Sequence, residues 1–454
     1  GNGRSIIVAP SRYGAFMTET VHRTARITLR ATPAQKRRCF GLMVGAGDVW
    51  AMAIDCNASL RRWGCKMIVD FPSLCRELTG MAFGELARIC QEDLLKRYSA
   101  AWISAAKRRS KGEVVGFPRC RRRFFPVRFR KGAFALEGRT VRLATARGCP
   151  VLQVRLARPI PYPAEALRSV TLVFDAGRLC LDVTAEIPVT PAAGLDPDKV
   201  AGVDIGIIHL FAAACEGDGL LVSGRALRAE ERLHLQDTKA RRKKLAPKAP
   251  PRGQRGSRRY RRLRASQRRA EARHKRRIRQ AQHQAAKELV SWAAARGIGT
   301  LVVGDLSGIT DKDSGRHHNL RLRQWRRTHL VSCLRDKAER AGVSIKMVDE
   351  RGSSSTCPRC GTRSKPSGRT FSCRRCSYLG HRDLVGARNI AATGGGHTSD
   401  SLLVTHRRAG APPARRDRRR HLLDARRRSC LAPSHPVEGC RSSGDTPARI
   451  PSAA

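Results

Sequence analysis

Acidic residues are scarce in this chain of 454: 37 Asp and Glu stand against 90 Lys and Arg, a formal charge of +53. Such an excess opposes compaction unless a polyanion neutralises it, and nucleic acid is the simplest one. Long apolar runs are lacking too. None approaches the length of a membrane span, and no signal peptide, amphipathic anchor or lipidation motif is legible, which weighs against a basic membrane-surface protein. A disulfide framework is also missing. Most of the sixteen cysteines, among them Cys39, Cys56, Cys65, Cys75, Cys90, Cys120, Cys149, Cys180, Cys215 and Cys333, stand singly in apolar or basic segments, as buried free thiols do.

One stretch departs from that scatter. Cys357, Cys360, Cys373 and Cys376 form two CxxC pairs a dozen residues apart, a spacing that closes a tetrahedral zinc site. A redox CxxC is the alternative for either half, and two pairs at this spacing disfavour it. The knuckle lies between Glu350, at the end of the strand VSIKMVDE, and Asp383, in GHRDLVGARNIA. A further carboxylate, Asp204, sits inside the apolar strand KVAGVDIG. Burying it is costly unless a divalent metal binds it; a solvent-facing Asp on an edge strand is the competing reading.

A length of 454 suggests two to four domains. Met17 precedes a plausible domain start, so residues 1–17 read as an unstructured upstream extension. HRTARITLRAT alternates as a strand does, and Pro33 opens a helical stretch with Trp50, Trp63, Leu78, Leu86, Leu94 and Trp102 as core candidates. In GFPRCRRRFFPVRFRKGAFAL, Arg121 and Arg122 are phosphate-binding candidates. Phe124, Phe125 and Phe129 there either stack on bases or fill a core. SVTLVFDAGRLCLDV reads as a hairpin turning at Ala176 and Gly177. A Pro/Gly/Asp-rich linker at 189–199 opens a new domain, in which Asp218 and Gly219 are expected to turn the chain.

Basic charge is densest from Lys239 to Arg279. Arg241, Arg242, Lys243 and Lys244 are expected in a flexible loop, and Arg258, Arg259, Arg261 and Arg262 on a long helix from about Ser257. That helix carries an apolar seam at Ile278, Ala281, Ala285, Leu289 and Trp292, and its opposite face would meet a phosphate backbone. Two further strands, GIGTLVVGDL and VSIKMVDE, flank a helix through RLRQWRRTHLVSCLRDKAERAG. Strand, helix, strand implies a right-handed parallel crossover beside the Asp204 strand, the layout of an RNase H core.

These residues resemble a known family. GVDIG at 202–206, VVGDL at 302–306, DERGSSSTCPRCG at 349–361, CRRC at 373–376 and GHRDLVGARNIA at 380–391 look like the RuvC nuclease of TnpB proteins, transposon-encoded RNA-guided DNA nucleases related to compact type V CRISPR effectors. The resemblance covers about residues 18–393. It implies a multidomain α/β protein: a β-rich, RNA-holding wedge over 18–32 and 118–198, a helical recognition lobe over 33–117, an RNase H-like (RuvC) core over 199–354 and 379–396, and a zinc-binding insertion over 355–378. It further implies guide RNA and target DNA as partners, structural Zn²⁺, catalytic Mg²⁺ or Mn²⁺, a monomer, and the prokaryotic cytosol or nucleoid as location.

One departure bears on activity. Gly304 stands where the family usually has Glu. Asp305 is adjacent, but successive strand residues point to opposite faces. Glu350 ends the neighbouring strand and can lean across, so the expected metal-binding carboxylates are Asp204, Glu350 and Asp383, with Asp305 in reserve. A nuclease-inactive RNA-guided binder that blocks transcription, and a transposon protein acting without RNA, remain as alternatives. Residues 397–454, rich in Arg and Pro and without periodicity, read as a disordered basic tail.

Overall fold

The computed structural model describes residues 20–119, 124–189, 191–305, 315–364 and 366–409. The expectations for residues 1–17, Arg121, Arg122 and positions 410–454 lie outside them.

The first half of the chain builds one sheet and a helical layer. Its strands are β1 (Thr20–Arg30), β2 (Val127–Arg130), β3 (Phe134–Glu137), β4 (Thr140–Leu143), β5 (Leu152–Leu156), β6 (Leu167–Asp175) and β7 (Arg178–Pro188), in the order β2-β6-β7-β1-β5-β4-β3. The alternation read in β1 buries Val21, Ala25, Ile27 and Leu29 on one face. The β6–β7 turn falls at Ala176 and Gly177, both with positive φ. Between β1 and β2 run α1 (Pro33–Arg62), α2 (Phe71–Glu77) and α3 (Arg88–Ser110). Thr32 and Gln35 close a capping box on α1 ahead of Pro33, so its start is written locally.

Two expectations for this half change, and one open alternative is decided. α1 is long and apolar enough, by length and composition, to cross a membrane, contrary to the absence of any such run. It spends that apolar face on the core, through Leu42, Met43, Ala46, Val49 and Ala53. Trp63 is 75% exposed, because the helix ends at Arg62 and leaves the indole outside the packed face. Of the open alternatives for the phenylalanines, core filling holds: Phe129 is fully buried, Phe125 stacks on Trp50 at 4.8 Å and Phe124 lies 4.8 Å from Phe40.

The second half is built on a five-stranded sheet from β8 (Asp196–Asp204), β9 (His209–Ser223), β10 (Ile298–Asp305), β11 (Ser344–Asp349) and β14 (Thr398–Arg408), in the order β11-β10-β8-β9-β14. β8, β10 and β11 are parallel, β8 and β9 antiparallel, and β14 parallel to β9. Helices α4 (Arg225–Leu245) and α5 (Arg258–Ala294) follow β9; α6 (Arg316–Gln324) and α7 (Arg327–Ala341) lead into β11. A two-stranded ribbon, β12 (Thr370–Ser372) with β13 (Leu379–His381), precedes α8 (Arg382–Thr393). The α5 seam of Ile278, Ala281, Ala285, Leu289 and Trp292 is buried against this sheet.

Here too the tertiary structure overrides local reading. Arg241 to Lys244 belong to α4 and not to a loop: α4 buries Leu227, Thr238 and Leu245, and Arg241 pairs with Asp237 one turn earlier at 3.1 Å. Asp218 and Gly219 do not turn the chain. β9 continues through them, with its kink at Glu216 (φ 48°), because β14 supplies partners beyond it. The helix read through RLRQWRRTHL is two, broken where Trp325 is extended and packs against the core. Finally, residues 398–408 of the expected disordered tail are a sheet strand: β9 offers the edge that such an Arg-containing segment lacks by itself.

Candidate active site and metal centres

The parallel strands β8, β10 and β11 end on one side of the sheet, and each carries a carboxylate there: Asp204 at the end of β8, Asp305 at the end of β10, and Glu350 immediately after β11. Open α/β sheets bind ligands at such strand ends. α8 crosses β8 so closely that a methyl group at Gly202 would overlap the Ala387 carbonyl. Its Gly386 lies against Asp204, where an added Cβ would be 3.2 Å from Oδ2. These two glycines let the helix bring Asp383, in its first turn, toward the strand ends.

Burial, then the neighbouring charges of Asp383 and Glu350, pushes the Asp204 carboxyl up to about 8. Burial, then Asp305, pushes Glu350 up to about 7. Both carboxyls therefore carry charge at a cost that a bound cation would relieve. Glu350 leans over Gly304: a Cβ there would overlap Glu350 Oε2 and lie 2.9 Å from its Cβ. That Oε2 is buried with no hydrogen-bond partner among the described residues. A buried orphan oxygen on a carboxylate is the kind of donor a hard divalent ion takes. Asp305 is exposed and acts on Glu350 by charge.

Asp383 is held differently. Its Oδ2 lies 2.7 Å from His209 Nδ1, and Arg369 Nη1 donates to both carboxylate oxygens at 2.9 Å. Burial would raise this carboxyl, but the His209 hydrogen bond and the Arg369 charge hold it below the usual range. The β12–β13 pairing aligns Thr370 with His381, which puts Arg369 opposite the start of α8. His381 packs edge-on to His209, ring centroids 5.1 Å apart, and accepts from the Asp383 backbone N–H.

Asp204, Glu350 and Asp383 thus share one electrostatic patch without closing into one tight cluster. Among the described residues, groups with all ligand atoms within 4.8 Å are the four cysteines, His209–His381–Asp383, and His283–His329–Cys333. The sequence reading missed His209, His381 and Arg369. His381 stands in the quoted GHRD run, but His209 and Arg369 reach Asp383 only through the sheet and the ribbon, so nothing local marks them.

In the ribbon, Cys357 and Cys376 sulfurs are 3.5 Å apart, as are those of Cys360 and Cys373. A disulfide needs about 2.05 Å, whereas tetrahedral zinc at about 2.3 Å from each sulfur sets edges of about 3.8 Å. The set could hold zinc with no open position. The ribbon is tied down from α8: Asn389 donates to the Ser353 and Thr356 carbonyls at 2.6 and 2.8 Å, and buried Arg388 reaches Tyr378, Thr398 and Asp400.

Of the basic candidates, Arg242, Lys243 and Lys244 on α4 and Arg258, Arg259, Arg261 and Arg262 on α5 are exposed, whereas Arg241 is half-buried in its pair with Asp237.

Residues 182–310 match the family model described as a probable transposase, OrfB_IS605, and residues 328–390 match the Cas12f1-like TNB domain. The chain is 31% identical over 112 residues to the CRISPR-associated endodeoxyribonuclease Cas12f1 of Sulfoacidibacillus thermotolerans, covering 24% of this chain and 25% of that one. It is 28% identical over 121 residues to the TnpB-like protein MJ0751 of Methanocaldococcus jannaschii, covering 26% and 43%. The matched stretches thus span less than half of these relatives. In three dimensions it superposes on Cas12f1, solved as a complex with single guide RNA and target DNA, at TM-score 0.56 and 13% identity, over 82% of this chain and 99% of that one. That likeness carries the multidomain α/β fold. In the two matched segments the chain is similar to TnpB-like and Cas12f1 proteins.

Proposed function

We propose that this protein is an RNA-guided DNA endonuclease of the TnpB type, with an RNase H-like (RuvC) core on the five-stranded sheet and a structural zinc in the four-cysteine ribbon. The observation that carries it is Glu350: its carboxylate fills the space over Gly304 and leaves Oε2 buried and unpartnered beside the Asp204 patch. A glutamate from the adjacent strand replaces the one missing from β10. The naming of relatives as endodeoxyribonucleases supports the same class of chemistry.

In this reading Asp204 and Glu350 hold Mg²⁺ or Mn²⁺ by hard oxygen donors, and Asp383 completes the set from the first turn of α8. When bound, the ions activate a water and neutralise charge on the scissile phosphate. His209 orients Asp383 through Nδ1, and Arg369 keeps its charge balanced. Arg369 therefore has to yield an Asp383 oxygen as a cation loads. Cys357, Cys360, Cys373 and Cys376 would hold a structural zinc through four thiolates, fixing the segment between Glu350 and Asp383 without taking part in chemistry. Exposed cations of α4 and α5 grip phosphates, and sequence choice falls to guide pairing.

Cleavage of a randomised target library by protein reconstituted with its flanking transcript tests the activity. Glu350→Ala is expected to lower the cleavage rate roughly 10²–10³-fold, a range typical of losing a group that stabilises transition-state charge, while Asp305→Ala stays within about tenfold. The reverse pattern would sink the relocated glutamate. Guide-dependent target binding without cleavage in the unmodified protein would replace a nuclease with a binder.

A further inference from the structure

A second metal-capable group lies away from the carboxylates. His329 and Cys333 stand one turn apart on α7, so both side chains share a helix face, and they meet His283 on the packed face of α5. Cys333 Sγ is 3.5 Å from His329 Nδ1 and 3.8 Å from His283 Nε2. Zinc bonds of about 2.3 Å to sulfur and about 2.05 Å to nitrogen at tetrahedral angles give S–N edges of about 3.6 Å. The two imidazoles are set edge to face, centroids 5.6 Å apart at 80°.

A fourth donor stands at the same place. Gln282 Oε1 lies 2.8 Å from His329 Nδ1, and its amide is oriented by Nε2 donating to the Arg326 carbonyl at 3.1 Å. Hydrogen bonds alone use each proton once, His329 Nδ1–H to Gln282 Oε1 and Cys333 Sγ–H to His283 Nε2, and leave the 3.5 Å approach of Cys333 Sγ to His329 Nδ1 without a proton of its own.

We propose that His283, His329 and Cys333, with the Gln282 carbonyl oxygen as fourth donor, bind a second, structural ion of the zinc class that staples α5 to α7. One sulfur, two imidazoles and an amide oxygen suit a borderline-soft tetrahedral cation and not Mg²⁺. α7 leads into β11 and so to Glu350, whereas α5 carries the basic face; the ion fixes one element to the other. Binding releases the Cys333 proton and forms a sulfur–metal bond with no change of oxidation state.

The site is read from the zinc content of the full-length protein after loosely held ions are removed by gel filtration, and from its Co²⁺-substituted spectrum. Two zinc ions per chain are expected. Cys333→Ser with His329→Gln halves that number and keeps the four-thiolate cobalt absorption. Cys360→Ser with Cys373→Ser also halves it and keeps a one-thiolate cobalt spectrum, which reads the helical site directly even if the α7 variant fails to fold. His283→Gln in that ribbon background should erase the remaining spectrum. A single zinc per chain in the unmodified protein, abolished by the ribbon variant, would overturn the proposal, as would two zinc ions surviving the α7 substitutions.

Discussion

At the scale of single residues, Asp204 and Glu350 show how a fold stores an electrostatic cost. Both carboxyls are pushed above their free values, to about 8 and about 7, because burial disfavours charge, and because Asp383 and Glu350 add repulsion at Asp204 and Asp305 adds it at Glu350. The folded protein therefore binds their protons more tightly than the unfolded chain. Their contribution to stability is fully present below about pH 4 and is lost as pH rises through about 7 to 8. Asp204→Asn removes one of these charges. In zinc-replete, magnesium-free buffer it is expected to be stabilising by about 2 kcal/mol at pH 8 and nearly neutral at pH 4. Urea unfolding at the two pH values checks this; an equal effect at both would show that Asp204 is not held protonated. Asp383 is the contrast: His209 and Arg369 stabilise its charged form, so it keeps its charge without a metal.

At the scale of elements, the C-terminal strand is the least expected part of the candidate site's support. β14 covers the β9 edge, and its first residues, Thr398 and Asp400, receive the guanidinium of Arg388, only 3% exposed on α8. Truncation after Gly396 strands that charge in the interior, a loss of roughly 3 kcal/mol or more. It also exposes a sheet edge. We expect a fall in melting temperature on the order of 10 °C relative to the chain cut after Ala409, which keeps β14. Differential scanning calorimetry of the two truncations decides it; equal melting would mean that the strand adds nothing to α8. The cysteine segment belongs to the same scale, since α8 holds it at both ends, Asn389 at the Ser353 and Thr356 carbonyls and Arg388 at the Tyr378 hydroxyl just ahead of β13.

At the scale of the whole molecule, a charge of +53 dominates association. Among the described residues, Arg258, Arg259, Arg261 and Arg262 on α5 and Arg242, Lys243 and Lys244 on α4 are exposed basic runs. If roughly six phosphates are engaged, affinity for nucleic acid falls by about 10³-fold between 50 and 200 mM salt. Reversing the four arginines of that α5 run to Glu should lower the slope of log affinity against log salt by roughly 3 to 4. Filter binding with unrelated and matched sequences measures it. An unchanged slope would move the interface elsewhere.

Local signals were legible wherever one segment held all the determinants. Thr32, Pro33 and Gln35 wrote the start of α1, Ala176 and Gly177 the hairpin turn, and the seam from Ile278 to Trp292 the buried side of α5. The cysteine spacing likewise announced four sulfurs that meet within 4.8 Å. Relations between distant segments were not legible. That β9 runs on past Asp218 depends on β14, nearly two hundred residues later, and that Arg241 is helical depends on α4 packing against α5. Spacing and periodicity determined the start of α1, the β6–β7 turn, the buried seam of α5 and the four-cysteine spacing, because those rest on neighbours along the chain. The sequence already offered Glu350 as able to lean toward Gly304; only the tertiary structure decided that its Oε2 is buried there with no partner among the described residues, that His209 and Arg369 hold Asp383, and that His283 faces His329 and Cys333. Those arrangements rest on which strand ends and helix faces are brought together, a matter of packing that no single segment encodes.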